Sequence, residues 1–137
     1  PGTNHALTSS VFMDDAQAAD DMTTHLINAG HRRIGFLGWP AGSDVGDDRR
    51  AGWQHALREA DVEATHELFL GVEDSVAEGA RAAHELFDRG ATALVCASDS
   101  LAIGAAAEWQ LAGTRQLHER TREVRLAAVA EWRHYLT

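Results

Sequence analysis

No lysine occurs in the 137 residues, so all 12 basic side chains are arginines. That absence excludes a P-loop, whose lysine reaches the phosphates, and equally a Schiff-base mechanism or a kinase-type nucleotide site. Positive charge is scarce altogether: 12 basic against 21 acidic residues leave a net charge of -9. A surface this acidic repels phosphate backbones and argues against direct nucleic-acid binding by this chain. The single cysteine, Cys96, rules out a disulfide within the chain, and its apolar setting Ala93-Leu94-Val95-Cys96-Ala97 reads as a buried, inert thiol. No run of about 18 apolar residues exists, so no membrane span is expected. The start, Pro1-Gly2-Thr3-Asn4-His5, has neither an initiator methionine nor a signal segment, and it reads as cut from something longer.

What is present suits one folded domain, with 45% hydrophobic and 24% charged residues. Asp14-Asp15 opens a helix to about Asn28, with Ala19, Met22, Leu26 and Ala29 on one face and Gly30 ending it. Arg33 to Gly38 is a short apolar run closed by Trp39-Pro40, a buried strand entering a Gly/Ser/Asp-rich loop through Asp48. The spacing of Trp53, Ala56, Leu57 and Ala60 predicts a second helix over 49–60. Glu67 to Gly71 is a weaker strand candidate. Ser75 caps a third helix, with Val76, Ala80, Ala83 and Phe87 inward. Thr92 to Ala97 is an uninterrupted apolar strand, and Ser98-Asp99 caps a fourth helix through Leu101, Ile103, Ala105 and Trp109. Leu126 to Ala130 is a last strand candidate after the charged segment Thr114 to Glu123.

Helices alternating with strands across short connections imply a parallel sheet covered on both faces, a three-layer α/β domain. Ligands bind such sheets beyond the carboxyl ends of the strands. Here those ends are Gly38 to Asp48 with Trp39, Gly71 to Ser75 with Asp74, Ser98-Asp99, and the residues after Ala130.

Enzyme chemistry finds no constellation. None of the eight histidines falls in HxxxH or HExxH, and one cysteine makes no zinc knuckle, so neither a metal nor a cofactor is expected. No GxSxG elbow surrounds Ser43 or Ser98. The pairs Asp14-Asp15, Asp20-Asp21 and Asp47-Asp48 read as caps and solvated faces rather than acid/base dyads. The glycines of 35–42 do not form GxGxxG, and Pro40 removes a donor that a phosphate cradle needs. A phospho-receiver domain needs a lysine at a strand end. No catalytic residue is assigned. A site for a neutral or weakly charged small molecule remains, built from Asp and Arg forks beside indole rings, a chemistry that suits sugars. Asp15, Trp39, Arg49 and Asp99 lie where strand ends and helix starts converge. Arg49-Arg50 is equally readable as a solvated pair, Trp53 as core, and Asp99 as a cap alone.

Several blocks resemble a known family. Asp14-Asp15 with His25-Leu26-Ile27-Asn28-Ala29-Gly30-His31-Arg32-Arg33-Ile34-Gly35-Phe36-Leu37-Gly38 resembles the start of the C-terminal lobe of LacI/GalR-type regulators. Arg49-Arg50-Ala51-Gly52-Trp53 is similar to the family's Arg-x-x-Gly-aromatic helix start, and Ala97-Ser98-Asp99-Ser100-Leu101-Ala102-Ile103-Gly104 to its Asn-Asp-x-x-Ala-x-Gly segment. The resemblance implies one lobe of the periplasmic-binding-protein type I fold. Residues 1–13 would then be a crossover from an absent N-terminal lobe, its strand at Ser9 to Met13. Residues 14–130 would be the effector-binding lobe, and 131–137 the return to the other lobe.

The resemblance also implies roles. Asp15 matches an acidic position near the effector cleft, Arg49 the arginine that forks onto a sugar hydroxyl, and Asp99 the family's aspartate. Ser98 stands where the family usually has asparagine, and Glu131 or Trp132 near its effector-binding aspartate pair. A homodimer through the helices at Ser75 to Ala80 and Ile103 to Leu111 is implied, as is a cytoplasmic location. So are a sugar-like effector and contact with operator DNA through a helix-turn-helix headpiece absent from these residues. The alternative of the same fold is a sugar-binding protein of a transport system.

Overall fold

The computed structural model describes residues 15–63 and 66–114. The expected crossover, Asp14, almost all of the charged segment, the last strand candidate, Glu131 and Trp132 lie outside the described residues.

The elements run α1 (Asp15–Asn28), β1 (Ile34–Gly38), α2 (Asp44–Glu59), a 3-10 turn (His66–Leu68), β2 (Phe69–Gly71), α3 (Val76–Asp88), β3 (Ala93–Cys96) and α4 (Asp99–Thr114). The strands form a parallel sheet in the order β2-β1-β3, with Phe36 opposite Phe69 and Val95. The chain passes from β1 to β2 in one direction and from β2 to β3 in the other. Right-handed crossovers therefore put α2 and α3 on opposite faces. α1 packs beside α2 and α4 beside α3, which completes the three-layer architecture expected from the sequence. β1 and β3 are buried along their whole length, as strands covered on both faces must be.

The helix starts are set by hydroxyl caps. Ser43 accepts from the Gly46 amide, so α2 begins at Asp44, one turn and more before the expected Arg49. The apolar residues that suggested Arg49 mark only where α2 becomes buried. Ser75 accepts from Glu78 N and Ser98 from Leu101 N in the same way. Four inward assignments are corrected. Ala29 and Ala60 lie past the last packed turn of their helices and are exposed, and Ile103 is exposed. Val76 is 46% exposed, and α3 instead buries Gly79, Ala82, Ala83 and Leu86. The small residues decide that phase. A Cβ at Gly104 would overlap the carbonyl oxygen of Val76, and one at Gly79 would lie 2.6 Å from that of Leu101, so α3 and α4 meet backbone to backbone. Gly52 does the same for α1 and α2, where a Cβ would overlap the Ala16 carbonyl oxygen.

Trp53 is core, 2% exposed against Phe36, its indole N–H donating to Ile34 O at 3.0 Å. Cys96 is fully buried, and burial pushes its thiol pKa up to about 12. No helix among the described residues is long and apolar enough to cross a membrane.

Candidate functional site

The loops leaving β1 and β3 diverge, one to α2 on one face and one to α4 on the other. That divergence is a switch point beyond the carboxyl ends of the strands, the place where sheets of this kind take ligands. Arg49, in the second turn of α2, reaches across it. Its Nε donates to Asp15 Oδ1 at 2.9 Å, its Nη2 pairs with the same oxygen at 2.8 Å, and its Nη1 donates to the carbonyl oxygen of Ala97 at the end of β3. The guanidinium lies 5.9 Å from the Trp39 ring. Side chains of Arg49 and Asp15 are 18% and 25% exposed, enough to meet a ligand while held in place from behind.

Next along the same edge, Ser98 donates its hydroxyl proton to Asp74 Oδ1 at 2.6 Å while its oxygen accepts from Leu101 N. Asp15, Arg49, the Ala97 carbonyl, Ser98 and Asp74 thus form one polar line across the sheet edge, with Ala97 and Ser98 adjoining through the chain. Asp99 opens α4 and is exposed beside Ser98. Trp39 is half-buried over the end of β1. Its Nε1 is buried and has no hydrogen-bond partner among the described residues, an arrangement that normally costs about 1–3 kcal/mol.

Six of the eight residues expected at the site therefore gather on one edge, and Glu131 and Trp132 lie outside the described residues. Arg49 and Arg50 are not a solvated pair: Arg50 turns away and stacks its guanidinium 4.3 Å from the Phe69 ring centre. Beside it a groove of about 260 Å³ is lined by Ala41, Asp47, Arg50 and Gln54. The Ala97 carbonyl was not foreseen as a participant, because a main-chain acceptor leaves no trace in side-chain pattern. The Asp74–Ser98 bond was missed as a pair, since 24 residues separate its members.

Residues 5–128 match the model of the family described as periplasmic binding proteins and sugar binding domain of LacI family. The chain belongs to that family. It is 34% identical to the HTH-type transcriptional regulator AscG of Escherichia coli strain K12 over 113 residues, 81% of this chain. It is 36% identical to the regulator GalR of Salmonella typhimurium strain LT2 over 107 residues, 77% of this chain. It spans 31% and 30% of those two relatives, so about a third of their length. A sugar-binding LacI-family transcriptional regulator from Escherichia coli, solved with phosphate, superposes with a TM-score of 0.68 at 33% identity, over 74% of this chain and 37% of that one.

Proposed function

We propose that the chain is the effector-binding lobe of a LacI-type transcription regulator. The sheet edge that carries Asp15, Trp39, Arg49, Asp74, Ser98 and Asp99 takes one side of a small, sugar-like effector, and a second lobe closes over the other side. Closure alters the geometry of a homodimer and so the operator affinity of a helix-turn-helix headpiece, a coupling of about 1–3 kcal/mol in such systems. The observation that carries this reading is Arg49 held across the switch point by Asp15 and the Ala97 carbonyl, a preset fork at the place where the fold binds ligands. The relatives are regulators by name, which favours this reading over a transport protein or an enzyme, and with it a cytoplasmic protein.

Exposed apolar residues support the dimer. Val76, Ile103 and Leu111 are 46%, 42% and 52% exposed on α3 and α4, the helices expected at the subunit contact. DNA is met by the headpiece, not by this acidic lobe. The test is operator binding by the intact regulator with and without effector, in wild type and Arg49→Ala. Wild type should change operator affinity by about five- to 150-fold on adding effector. An Arg49→Ala protein that responds at the same effector concentration would remove Arg49 from the site.

A further inference from the structure

We propose that the groove beside Arg50 is a second ligand site, separate from the effector edge, and that it takes a small carboxylic acid with a hydrogen-bond donor next to its carboxylate: an α-hydroxy acid or an α-amino acid. The inference goes beyond the effector-lobe reading and stands whether or not that reading does.

Arg49 and Arg50 are successive on α2, so their side chains leave the helix about 100° apart. Arg49 reaches Ala97 at the end of β3, and Arg50 goes the other way, to Phe69 of β2 on the far side of β1. In a chain of net charge -9 an arginine has no shortage of carboxylates. Arg33, Arg49, Arg81 and Arg89 each pair with one, while Arg32 and Arg58 are exposed to water. Arg50 differs from both groups. It is half-buried with its guanidinium over the Phe69 ring, and it makes no hydrogen bond or ion pair among the described residues.

The ring covers one face of the guanidinium and leaves the N–H groups, which lie in its plane, for an acceptor of matching shape, a carboxylate. Gln54, one turn further along α2, lines the same groove, is half-buried and likewise has no hydrogen bond among the described residues. Its amide adds a second donor. Asp47, one turn before Arg50, lines the groove too, and both of its oxygens accept from the Gly42 amide, at 3.3 and 3.2 Å, which holds the carboxylate against its own loop.

This donor set selects the ligand. Arg50 only donates and Asp47, when ionised, only accepts. A dianion or a phosphate would gain the fork but meet the Asp47 charge, whereas a carboxylate flanked by a hydroxyl or an ammonium satisfies both. Residues three apart on a helix are neighbours, so groups on adjacent carbons of one small molecule reach both. The volume of about 260 Å³ lies just below the range for drug-sized ligands, about 300–1,000 Å³, and suits a molecule of a few carbons.

The test uses the full-length protein at fixed ionic strength with five probes: propionate, lactate and alanine, which share a skeleton and differ only in the α-substituent, together with succinate and inorganic phosphate. Binding is read by calorimetry and by ligand-observed NMR at millimolar concentrations. Lactate or alanine should bind, and propionate at least about tenfold more weakly, the ratio one charge-assisted hydrogen bond produces. Succinate and phosphate should also bind more weakly than the probe that binds best. Arg50→Gln should weaken that probe at least about tenfold, and Arg50→Lys should recover little, because an ammonium lacks the planar fork. Asp47→Asn should narrow the alanine-over-propionate ratio by about tenfold. These side chains lie on the surface, so urea unfolding of the variants should match wild type.

No binding by any of the five overturns the site, as does Arg50→Gln binding within twofold of wild type. Binding that Arg49→Ala abolishes and Arg50→Gln leaves intact puts the ligand at the effector edge and overturns it as well. Equal affinity for propionate, lactate and alanine overturns the ligand class, and so does succinate or phosphate binding best.

Discussion

Arg49→Ala separates a ligand fork from a structural strut, and the geometry predicts that it is both. In the lobe the guanidinium makes two contacts to one Asp15 oxygen, at 2.8 and 2.9 Å, and a third to the Ala97 carbonyl. A fully exposed ion pair contributes about 0–1 kcal/mol, and removing one partner of a fully buried pair costs about 3–5 kcal/mol. With the partners 18% and 25% exposed, the loss should lie between, at about 1–2 kcal/mol. In an intact two-lobe protein that lowers Tm by about 2–8 °C. Effector affinity should fall further, since a charge-assisted hydrogen bond to a ligand contributes about 1.5–3 kcal/mol, or about 10- to 150-fold in Kd.

Arg49→Lys divides the two roles. An ammonium restores charge opposite Asp15 but not the planar fork that spans Asp15, Ala97 and ligand together. It should recover most of the stability and little of the affinity. Calorimetry with the sugar that binds, and urea unfolding at several concentrations, measure the two quantities on the same samples. If Arg49→Ala loses the stability yet binds effector within twofold of wild type, the arginine is a strut alone and the site lies elsewhere.

Trp39→Phe removes a buried N–H that has no partner among the described residues, so stability should hold or rise by up to about 1 kcal/mol while effector affinity falls; a clear drop in Tm with unchanged affinity would refute a ligand role. Gly52→Ala should destabilise by about 1–3 kcal/mol, because its methyl overlaps the Ala16 carbonyl and α1 must move; a neutral result by urea unfolding would show that the two helices are not packed this closely. Cys96 should resist thiol reagents at pH 8 in the folded protein and react on unfolding. Its folded thiol ionises only near pH 12 and the unfolded one near 9, so the neutral thiol favours the native state less as pH rises through that window. At pH 10 wild type should have lost on the order of 1 kcal/mol relative to Cys96→Ala, read as a difference in urea midpoint, and equal pH dependence would refute the burial.

The layer order was legible because strands without alternating polarity, such as Ala93 to Cys96, occur where both faces are covered. The helix phases were less legible. On α3, Val76, Ala80 and Phe87 offer a plausible apolar stripe. The buried stripe runs one position away, through Gly79 and Ala82, because contact with Leu101 needs a missing side chain rather than a large one. Periodicity counts apolar side chains and is blind to that requirement. The site divided along the same line. Arg49, Asp15 and Asp99 were visible as charged residues at helix starts, whereas the pairing of Asp74 with Ser98 depends on how β2 and β3 flank β1.

One block that carries the family resemblance and the residues proposed to meet the effector occupy opposite ends of the sheet. In Gly30-His31-Arg32-Arg33-Ile34, His31 Nδ1 lies 2.7 Å from Thr92 Oγ1 just before β3. Arg33 donates to the carbonyls of Arg89 and Gly90, closing the carboxyl end of α3. The Thr92 amide donates to Arg33 O at 2.8 Å and starts the β1–β3 ladder. All of this sits at the amino ends of the strands, where no ligand binds in this architecture. The block is recognisable because it joins β1, α3 and β3 at once, so several of its residues are constrained together whatever the effector. At the carboxyl edge the scaffold fixes only where a side chain stands, and Ser98 can differ from the family's asparagine without disturbing a strand. Transferring the fold from relatives is therefore sound, while the proposed site has to be tested at Asp15, Arg49, Asp74 and Ser98 themselves.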